Sequence, residues 1–432
     1  MSSSTRRPVA TDDDRRALAE WAASGAMAIT GRSDGRPLGP PDRLVAGLHR
    51  WASVIRQRSA SLGQAVELDA LALLGERAAV AGLTRHGRTS CGGATRLLRA
   101  ADGWLAVSLP RPEDRELLPA WLGIDAGDAE PPWSAVAAAL RDGRAREAAE
   151  HAWLLGLPVS LLPEEPVAAP HAPQPLAPLP VRATPIPAPV PGPLPDMTVI
   201  DLSSLWAGPL CGNLLSLAGA RVVKVESTTR PDGSRGGPRR FFDVINGGKQ
   251  SVALDLAEED GWKVLRRLLA AADVVIEGSR PRALEQRGVV AADLVAAGGP
   301  RVWVSITGHG RTGAGRDRVA FGDDAAVAGA LVVADEAGPC FCADAAADPA
   351  AGVAAAAACL DALAVGGRWV LDVAMADVAA SLAGPTLVAD APATDHAAGP
   401  DVAPPRARPV GAPGPALGEH TVEVLNGLGV TA

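Results

Sequence analysis

The second half of the chain alternates between two hydrophobic patterns. Short continuous apolar runs fall at Thr198–Leu202, Ala220–Glu226, Ser251–Leu256, Asp273–Glu277 and Arg301–Thr307. Runs of this length without polar alternation predict strands buried on both faces. Between them lie segments of helical spacing, one opened by Ala207-Gly208-Pro209 and running to Leu217, another from Glu258 to Ala271. Such alternation predicts an α/β fold with a doubly wound, mostly parallel, Rossmann-like sheet. Ligands of these sheets bind outside the carboxyl ends of the strands, here Ser203–Pro209, Glu226–Asp232, Asn246–Lys249, Glu277–Arg280 and Thr307–Gly313.

The first half reads differently. Helices are predicted at Arg15–Ala28 and at Leu44–Arg58, where Leu44, Leu48, Trp51 and Ile55 share a face. Gln64–Leu74 reads as a strand followed by a helix. Ser90-Cys91-Gly92-Gly93 is a tight loop, and Arg96–Leu109 a hairpin turning at Ala101-Asp102-Gly103. Helices follow at Pro112–Leu122, Trp133–Leu140 and Arg144–Leu154. From Pro163 to Pro195 proline recurs every few residues, which predicts an extended, semi-rigid linker. The expected organisation is a disordered tail over 1–14, a front part over 15–162 that ends in a smaller α+β domain, the linker over 163–195, and the large α/β domain over 196–432.

One stretch stands out beyond the strands: Cys340-Phe-Cys-Ala-Asp344-Ala-Ala-Ala-Asp348-Pro349-Ala-Ala-Gly352, followed by an alanine-rich run to Gly366. Asp before Pro marks a helix start, with Asp348 as its N-cap and free backbone donors in front of it. Gly352 leaves room for a ligand or another backbone. Strand Arg368–Ala374 and helix Met375–Leu382 follow. By spacing alone Asp348 is a structural cap.

The front of the chain echoes this region. Trp21-Ala-Ala-Ser-Gly25-Ala resembles Asp324-Ala-Ala-Val-Ala-Gly329-Ala, and the segment ending in Asp69 resembles the one ending in Asp372. Measured from Gly47, Arg43 stands where Asp348 would be and Asp42 is out of register, so this copy is expected to be inert.

Composition narrows the chemistry. In 432 residues the net charge is −8, which gives no reason to expect nucleic acid or an anionic membrane as partner. The five cysteines are scattered and odd in number, which predicts reduced thiols in the cytoplasm. Cys340-x-Cys342 has no matching Cys/His pair, so no metal site is expected. Met1–Arg16 lacks the apolar core of a signal peptide, and the alanine-rich run, which carries Asp361, reads as too weakly hydrophobic to span a bilayer. Ser203–Pro209 is not Gly-x-Gly-x-x-Gly, which disfavours NAD. Lys224, Lys249, Arg280 and Arg311 lie near strand ends, each either a nucleotide-phosphate contact or solvated surface charge.

Asp348-x-x-x-Gly352, the alanine-rich helix, Gly366-Gly367-Arg368 and the Val-Leu-Asp372-Val strand together resemble the class III CoA-transferases, the CaiB/BaiF family. Ile200-Asp201-Leu202, Ala207-Gly208-Pro209, Gly219–Glu226, Asn246–Leu256, Ser305–Gly308 and Pro413–Leu425 add matches in order. The resemblance implies an acyl-CoA:carboxylate CoA-transferase with Asp348 as nucleophile, no permanently bound cofactor, an acyl-CoA and a small carboxylic acid as substrates, and a homodimer. It implies coenzyme A contacts at Trp206, Ala207, Lys224, Asn246, Lys249, Ser279, Arg280 and Thr307. Gly92 and Gly93 resemble the family's mobile glycine loop.

Departures are visible. Trp206 occupies the position of a catalytic-site Gln, Glu277-Gly278-Ser279 replaces Glu-Asn-Phe/Tyr, and the family's middle domain has moved to the front. These motivate a second reading, a non-catalytic binding or scaffolding protein. The racemase relatives' His would fall near Gly322; without it a racemase ranks third.

Overall fold

The computed structural model describes residues 11–125, 131–165, 167–188, 197–384 and 401–429. Residues 1–10 of the expected tail, 166 and 189–195 of the expected linker, and 385–400 lie outside the described residues.

Helix Asp12–Ser24 opens on a capping box: Thr11 Oγ1 accepts the Asp14 N–H, and the Asp14 carboxylate accepts the Thr11 N–H. Helix Leu44–Leu62 buries Leu44, Leu48, Trp51 and Ile55, the face its spacing predicts. The strand expected within Gln64–Leu74 does not form. Ser59 Oγ accepts the Val66 N–H at 2.9 Å and Asp69 accepts that of Ala72 at 3.1 Å, so side chains satisfy backbone that a ladder would otherwise need. Helix Glu76–Ala81 follows.

The predicted hairpin forms as β1 (Thr95–Arg99) and β2 (Trp104–Ser108), and β3 (Val159–Leu161) adds antiparallel to β2. Four short helices between Pro112 and Leu155 pack on it around a core that includes Leu105, Val107, Leu118, Val136 and Leu140.

The proline-rich segment is extended, as its composition requires, but it is more than a tether. Arg182–Pro185 (β4) becomes an edge strand, antiparallel to the last strand of the large sheet. A sheet edge tolerates proline because one side needs no donors. The large sheet continues with β5 (Thr198–Asp201), β6 (Arg221–Ser227), β7 (Gln250–Leu254), β8 (Val274–Glu277) and β9 (Val302–Thr307). A separate hairpin, β10 (Val332–Asp335) and β11 (Gly338–Phe341), precedes β12 (Trp369–Ala374). The order across the sheet is β4-β12-β9-β8-β5-β6-β7, parallel throughout except for β4. At the far edge, β7 donates from Ser251 N–H to His420 Nδ1 (3.2 Å) and from Ala253 N–H to Thr421 Oγ1 (3.1 Å).

Helix Ala347–Val365 is the centre of the molecule. Gly352 lets it touch helix Ala207–Leu217: a Cβ there would sit 2.7 Å from the Ala207 carbonyl oxygen. The space expected for a ligand or a backbone is thus filled by backbone. On another side it packs against Leu44–Leu62, a helix of the same 19 residues' length. Trp21, Leu48, Val199, Leu210, Ala354 and Leu371 belong to one continuous core, so the front helices are part of the same packed body as the large sheet. Among the described residues, Ala347–Val365 is the helix long and apolar enough to cross a membrane, contrary to the expectation drawn from Asp361; 78% of its apolar window is buried in protein. Asp361 is accommodated internally: it accepts from Arg58 Nε and from the Ala177 N–H, both at 2.6 Å.

Candidate active site

The segment from Cys340 to Asp348 leaves β11 through two left-handed residues, Ala343 (φ 55°) and Ala345 (φ 45°), on either side of Asp344. Left-handed backbone costs an alanine about 1–2 kcal/mol. Surrounding bonds hold it. Thr30 Oγ1 accepts the Ala343 N–H at 2.9 Å, the Leu74 carbonyl that of Asp344 at 3.3 Å, and Asp323 Oδ1 that of Ala345 at 3.1 Å. Cys91 Sγ lies 3.5 Å from the Ala343 carbonyl oxygen. Much of this clamp therefore comes from the front of the chain.

Asp348 sits inside the first turn of its helix. The expected N-cap role is not what the geometry gives: the helix begins at Ala347, its cap is Ala346 without a side-chain bond, and the Asp348 N–H already reaches the Ala345 carbonyl at 2.8 Å. The left-handed Ala345 brings the chain into the helix early and leaves the Asp348 carboxylate to face Gly322. The Gly322 N–H donates to it, and a Cβ on Gly322 would lie 2.5 Å from Asp348 Oδ2.

Three carboxylates share this place. Asp344 is fully buried and grips Arg77 with both oxygens, Nε at 2.9 Å and Nη2 at 2.5 Å. Asp323 is buried beside them and accepts from Ser90 of the glycine loop as well as from Ala345. Burial pushes Asp348 up to about 7; Arg77 works against this, and Asp323 and Asp344 add to it. Burial likewise raises Asp323 to about 6. Burial acts to lower the Arg77 pKa but is outweighed by Asp344. The next residue, Asp324, accepts from the Phe321 N–H (2.8 Å), Ser108 Oγ (3.1 Å) and Ser160 Oγ (3.3 Å), which ties the small sheet to the helix Gly322–Ala328.

The glycine loop reaches this cluster within the same chain. Gly92 and Gly93 are exposed at its rim, Gly93 left-handed at φ 80°, and a Cβ on Gly92 would lie 3.4 Å from Arg77 Nη2. Trp206 forms the opposite wall. It is 2% exposed, lies edge-on to Phe241 at 5.2 Å, and carries Arg77 5.3 Å over its ring. Its Nε1–H is buried with no hydrogen-bond partner among the described residues. Ala207 is buried at the start of the following helix.

The expected phosphate contacts fare unevenly. Lys224 and Lys249 are corrected: both are buried in ion pairs. Lys224 Nζ lies 2.7 Å from Asp232 and 2.9 Å from the Ser203 carbonyl. Lys249 Nζ meets Asp201 (2.9 Å), the Pro209 carbonyl (2.8 Å) and Asn246 Oδ1 (3.0 Å), its three donors all used. Arg311 is held by Glu277 at 2.9 Å and Ser305 at 2.6 Å. Asn246 is buried with them, and Thr307 Oγ1 accepts the Gly310 N–H. Ser279 and Arg280 lie at the surface end of β8, Arg280 exposed. His309 is lowered to about 4 by burial and by Arg318. Among the described residues no group of three or more His, Cys, Asp or Glu is arranged to hold a metal ion.

Sequence reasoning missed Arg77, Asp323 and Asp344 as site residues. Asp344, ahead of the helix that carries Asp348, does not match the nucleophile's position in the motif, and Arg77, in Gly-Glu-Arg-Ala-Ala, carries no local signal.

Comparison with known proteins adds a separate line. The model of CoA-transferase family III matches residues 194–413. A succinyl-CoA–D-citramalate CoA-transferase of Chloroflexus aurantiacus is 34% identical over 139 residues, 31% of this chain and 35% of that protein. An acyl-CoA transferase of Fusarium pseudograminearum is 32% identical over 162 residues, 34% of this chain and 35% of that protein. A succinate–glutarate CoA-transferase of Agrobacterium fabrum is 34% identical over 134 residues, 28% of this chain and 34% of that protein. The chain thus spans about a third of the length of these curated relatives. A crystal structure of a CAIB/BAIF family protein from Brucella suis aligns with a TM-score of 0.40 and 29% identity, over 46% of this chain and 56% of that one.

Proposed function

The chain belongs to CoA-transferase family III, and on that premise we propose that it moves coenzyme A from an acyl-CoA to a small carboxylic acid with Asp348 as nucleophile. The observation that carries this reading is the Asp348 carboxylate itself, turned away from a capping role and set against the Gly322 N–H between Arg77 and Asp323.

The chemistry follows from those groups. The Asp348 carboxylate attacks the thioester carbonyl; the C–S bond breaks, leaving an acyl-aspartyl anhydride and the CoA thiolate. The thiolate attacks the aspartyl carbonyl, releasing the donor acid and forming an aspartyl-CoA thioester. The acceptor carboxylate attacks that thioester, giving a new anhydride and thiolate, and thiolate attack on its acyl carbonyl frees Asp348 and the product acyl-CoA. A carboxylate held near neutrality by burial is a stronger nucleophile when ionised than one in water. The Gly322 N–H, bonded to the ground-state carboxylate, can follow the negative charge as it develops on oxygen. Gly92 and Gly93 stand where a loop would keep water from the anhydride.

The test is to incubate the protein with a panel of acyl-CoAs, add hydroxylamine or borohydride, and read the mass at Asp348. Modification dependent on the thioester is expected; none with any thioester, together with no CoA binding by calorimetry, would sink the reading and leave a non-catalytic binding protein. A racemase is less well served, since Gly322 has no side chain to act as a base and no room for one. We take the assembly to be a homodimer and the compartment to be the cytoplasm; five free cysteines, all buried, are consistent with a reducing compartment.

A further inference from the structure

The front copy has no nucleophile, yet its helix still borders a cavity. A hollow of about 520 Å³ lies where the first two turns of Leu44–Leu62 meet the proline-rich segment and helix Met375–Ala383. That size suits a small-molecule ligand. None of the residues clustered around Asp348 lines it, and none of the expected coenzyme A contacts does.

The helix supplies the chemistry of this hollow. Arg43, Ala46, Gly47 and Arg50 stand at i, i+3, i+4 and i+7, so they share one face. The two arginines start about 10 Å apart along the axis, with small residues between them. Gly47 must be small, because a Cβ there would lie 2.4 Å from Leu382 Cδ2. His171 joins the same cavity from the proline-rich segment. Arg43, Arg50 and His171 are exposed, and their side chains have no hydrogen-bond or ion-pair partner among the described residues. Against these three donors the lining holds one acid, Asp42. Arg43 also occupies the cap position of a helix with no acid in its first turn. The helix dipole disfavours a cation there, so folding alone gives no reason for this charge. Val167 and Pro178, both exposed, add apolar surface on the side of the proline-rich segment.

We propose that this cavity binds a small organic anion, with a carboxylate or phosphate head between Arg43 and Arg50 and a short apolar body against Val167 and Pro178. Guanidinium forks suit both head groups, and neither fork is filled by an acid among the described residues. His171 can donate a further hydrogen bond to the head. Where the central copy sets a carboxylate at the helix mouth to attack a substrate, the front copy sets a cation there to hold one. The site stands whether or not Asp348 is the nucleophile.

The experiment is arginine footprinting of the full chain with phenylglyoxal, read by peptide mass. The probes are butyrate and monobutyl phosphate, each compared with sodium chloride at equal ionic strength so that screening is the same. At saturating probe, modification of Arg43 and of Arg50 should slow about fivefold or more, while the exposed Arg16 keeps its rate. The probe that protects better names the head group. Protection by neither probe, or equal protection of Arg16, would overturn the proposal. In Arg50→Gln the protection of Arg43 should fall below about twofold, because one anion is shared. Full protection of Arg43 in that variant would overturn the shared site. The same protection is expected in Asp348→Asn. Its loss there would place the anion at Asp348 instead and reject the proposal. A failure of Asp348 to react with thioesters leaves every one of these readings unchanged.

Discussion

Arg58 Nε meets Asp361 Oδ1 at 2.6 Å, although 303 residues separate them in sequence, and Asp361 Oδ2 takes the Ala177 N–H at 2.6 Å. One fully buried carboxylate thereby joins the Leu44–Leu62 helix, the proline-rich segment and the central helix. Removing the cation leaves Asp361 buried with one backbone donor. Because Arg58 is itself 40% exposed, the loss is smaller than for a fully enclosed pair. Arg58→Ala should lower unfolding stability by about 2 kcal/mol in urea titration. A change under about 0.5 kcal/mol would mean that water replaces the guanidinium.

The proposed nucleophile should titrate near neutrality. Burial raises Asp348 to about 7, so its carboxyl is protonated below that pH and ionised above it. The reacting form is the anion. The rate of Asp348 modification should therefore climb about tenfold per pH unit up to roughly 7 and level off above. Arg77→Gln removes the charge that favours the anion and should move the midpoint up; Asp323→Asn removes a like charge and should move it down. Shifts in the opposite directions would contradict this assignment of neighbours.

Gly322 and Asp42 offer a paired test of which copy acts. A methyl group at Gly322 would press on Asp348 Oδ2 and on the Ala345 carbonyl, each 2.5 Å away. Gly322→Ala should cut Asp348 modification about a hundredfold by displacing the carboxylate. Asp42 lies beside Gly384, just before helix Leu44–Leu62. Asp42→Asn should leave transfer within about twofold, ~0.4 kcal/mol in barrier. A loss comparable to that of Asp348→Asn would mean that Asp42 is the reacting carboxylate or that both carboxylates act.

Lys249 separates a structural role from a ligand role. Its ammonium is enclosed with Asp201, Asn246 and the Pro209 carbonyl. Lys249→Met strands Asp201 in the interior and should cost about 3–5 kcal/mol of stability. A phosphate contact would behave in the reverse manner, weakening coenzyme A binding in calorimetry with little change in the melting temperature.

The continuously apolar strands of the large sheet were legible in the sequence to within two residues, whereas helix Leu44–Leu62 runs past its expected end at Arg58 and helix Asp12–Ser24 starts and ends earlier than the expected Arg15–Ala28. Ala207–Leu217 coincides with the reading, and Val302–Thr307 and Trp369–Ala374 each differ from it by one residue at the start. What failed was structure decided at a distance. Gln64–Leu74 has a strand's composition, but Ser59 and Asp69 satisfy its backbone. The hairpin Val332–Phe341 was not foreseen from the sequence. At the candidate site Asp348 was reached through motif order, whereas Arg77 lies 267 residues from the Asp344 it binds. Lys224 and Lys249 were misread for a related reason: a lysine at a strand end looks alike in sequence whether it faces solvent or an aspartate folded behind it.

The two margins of the large sheet bear on how copies of this chain can meet. On one side β4 is four residues long, ends in Pro185, and has Arg182 drawn to Asp377 at 2.5 Å. On the other, His420 and Thr421 occupy donors that β7 would offer a neighbour. Short strands, proline and side-chain plugs are how sheets avoid recruiting foreign strands. Neither margin of the large sheet therefore offers a long open ladder to another copy. The same two segments cover the sheet margins from outside the run of parallel strands, one from the proline-rich stretch and one from residues 420–421. A chain refolding before either has docked exposes open ladders, so aggregation in refolding should rise when residues 401–432 are deleted.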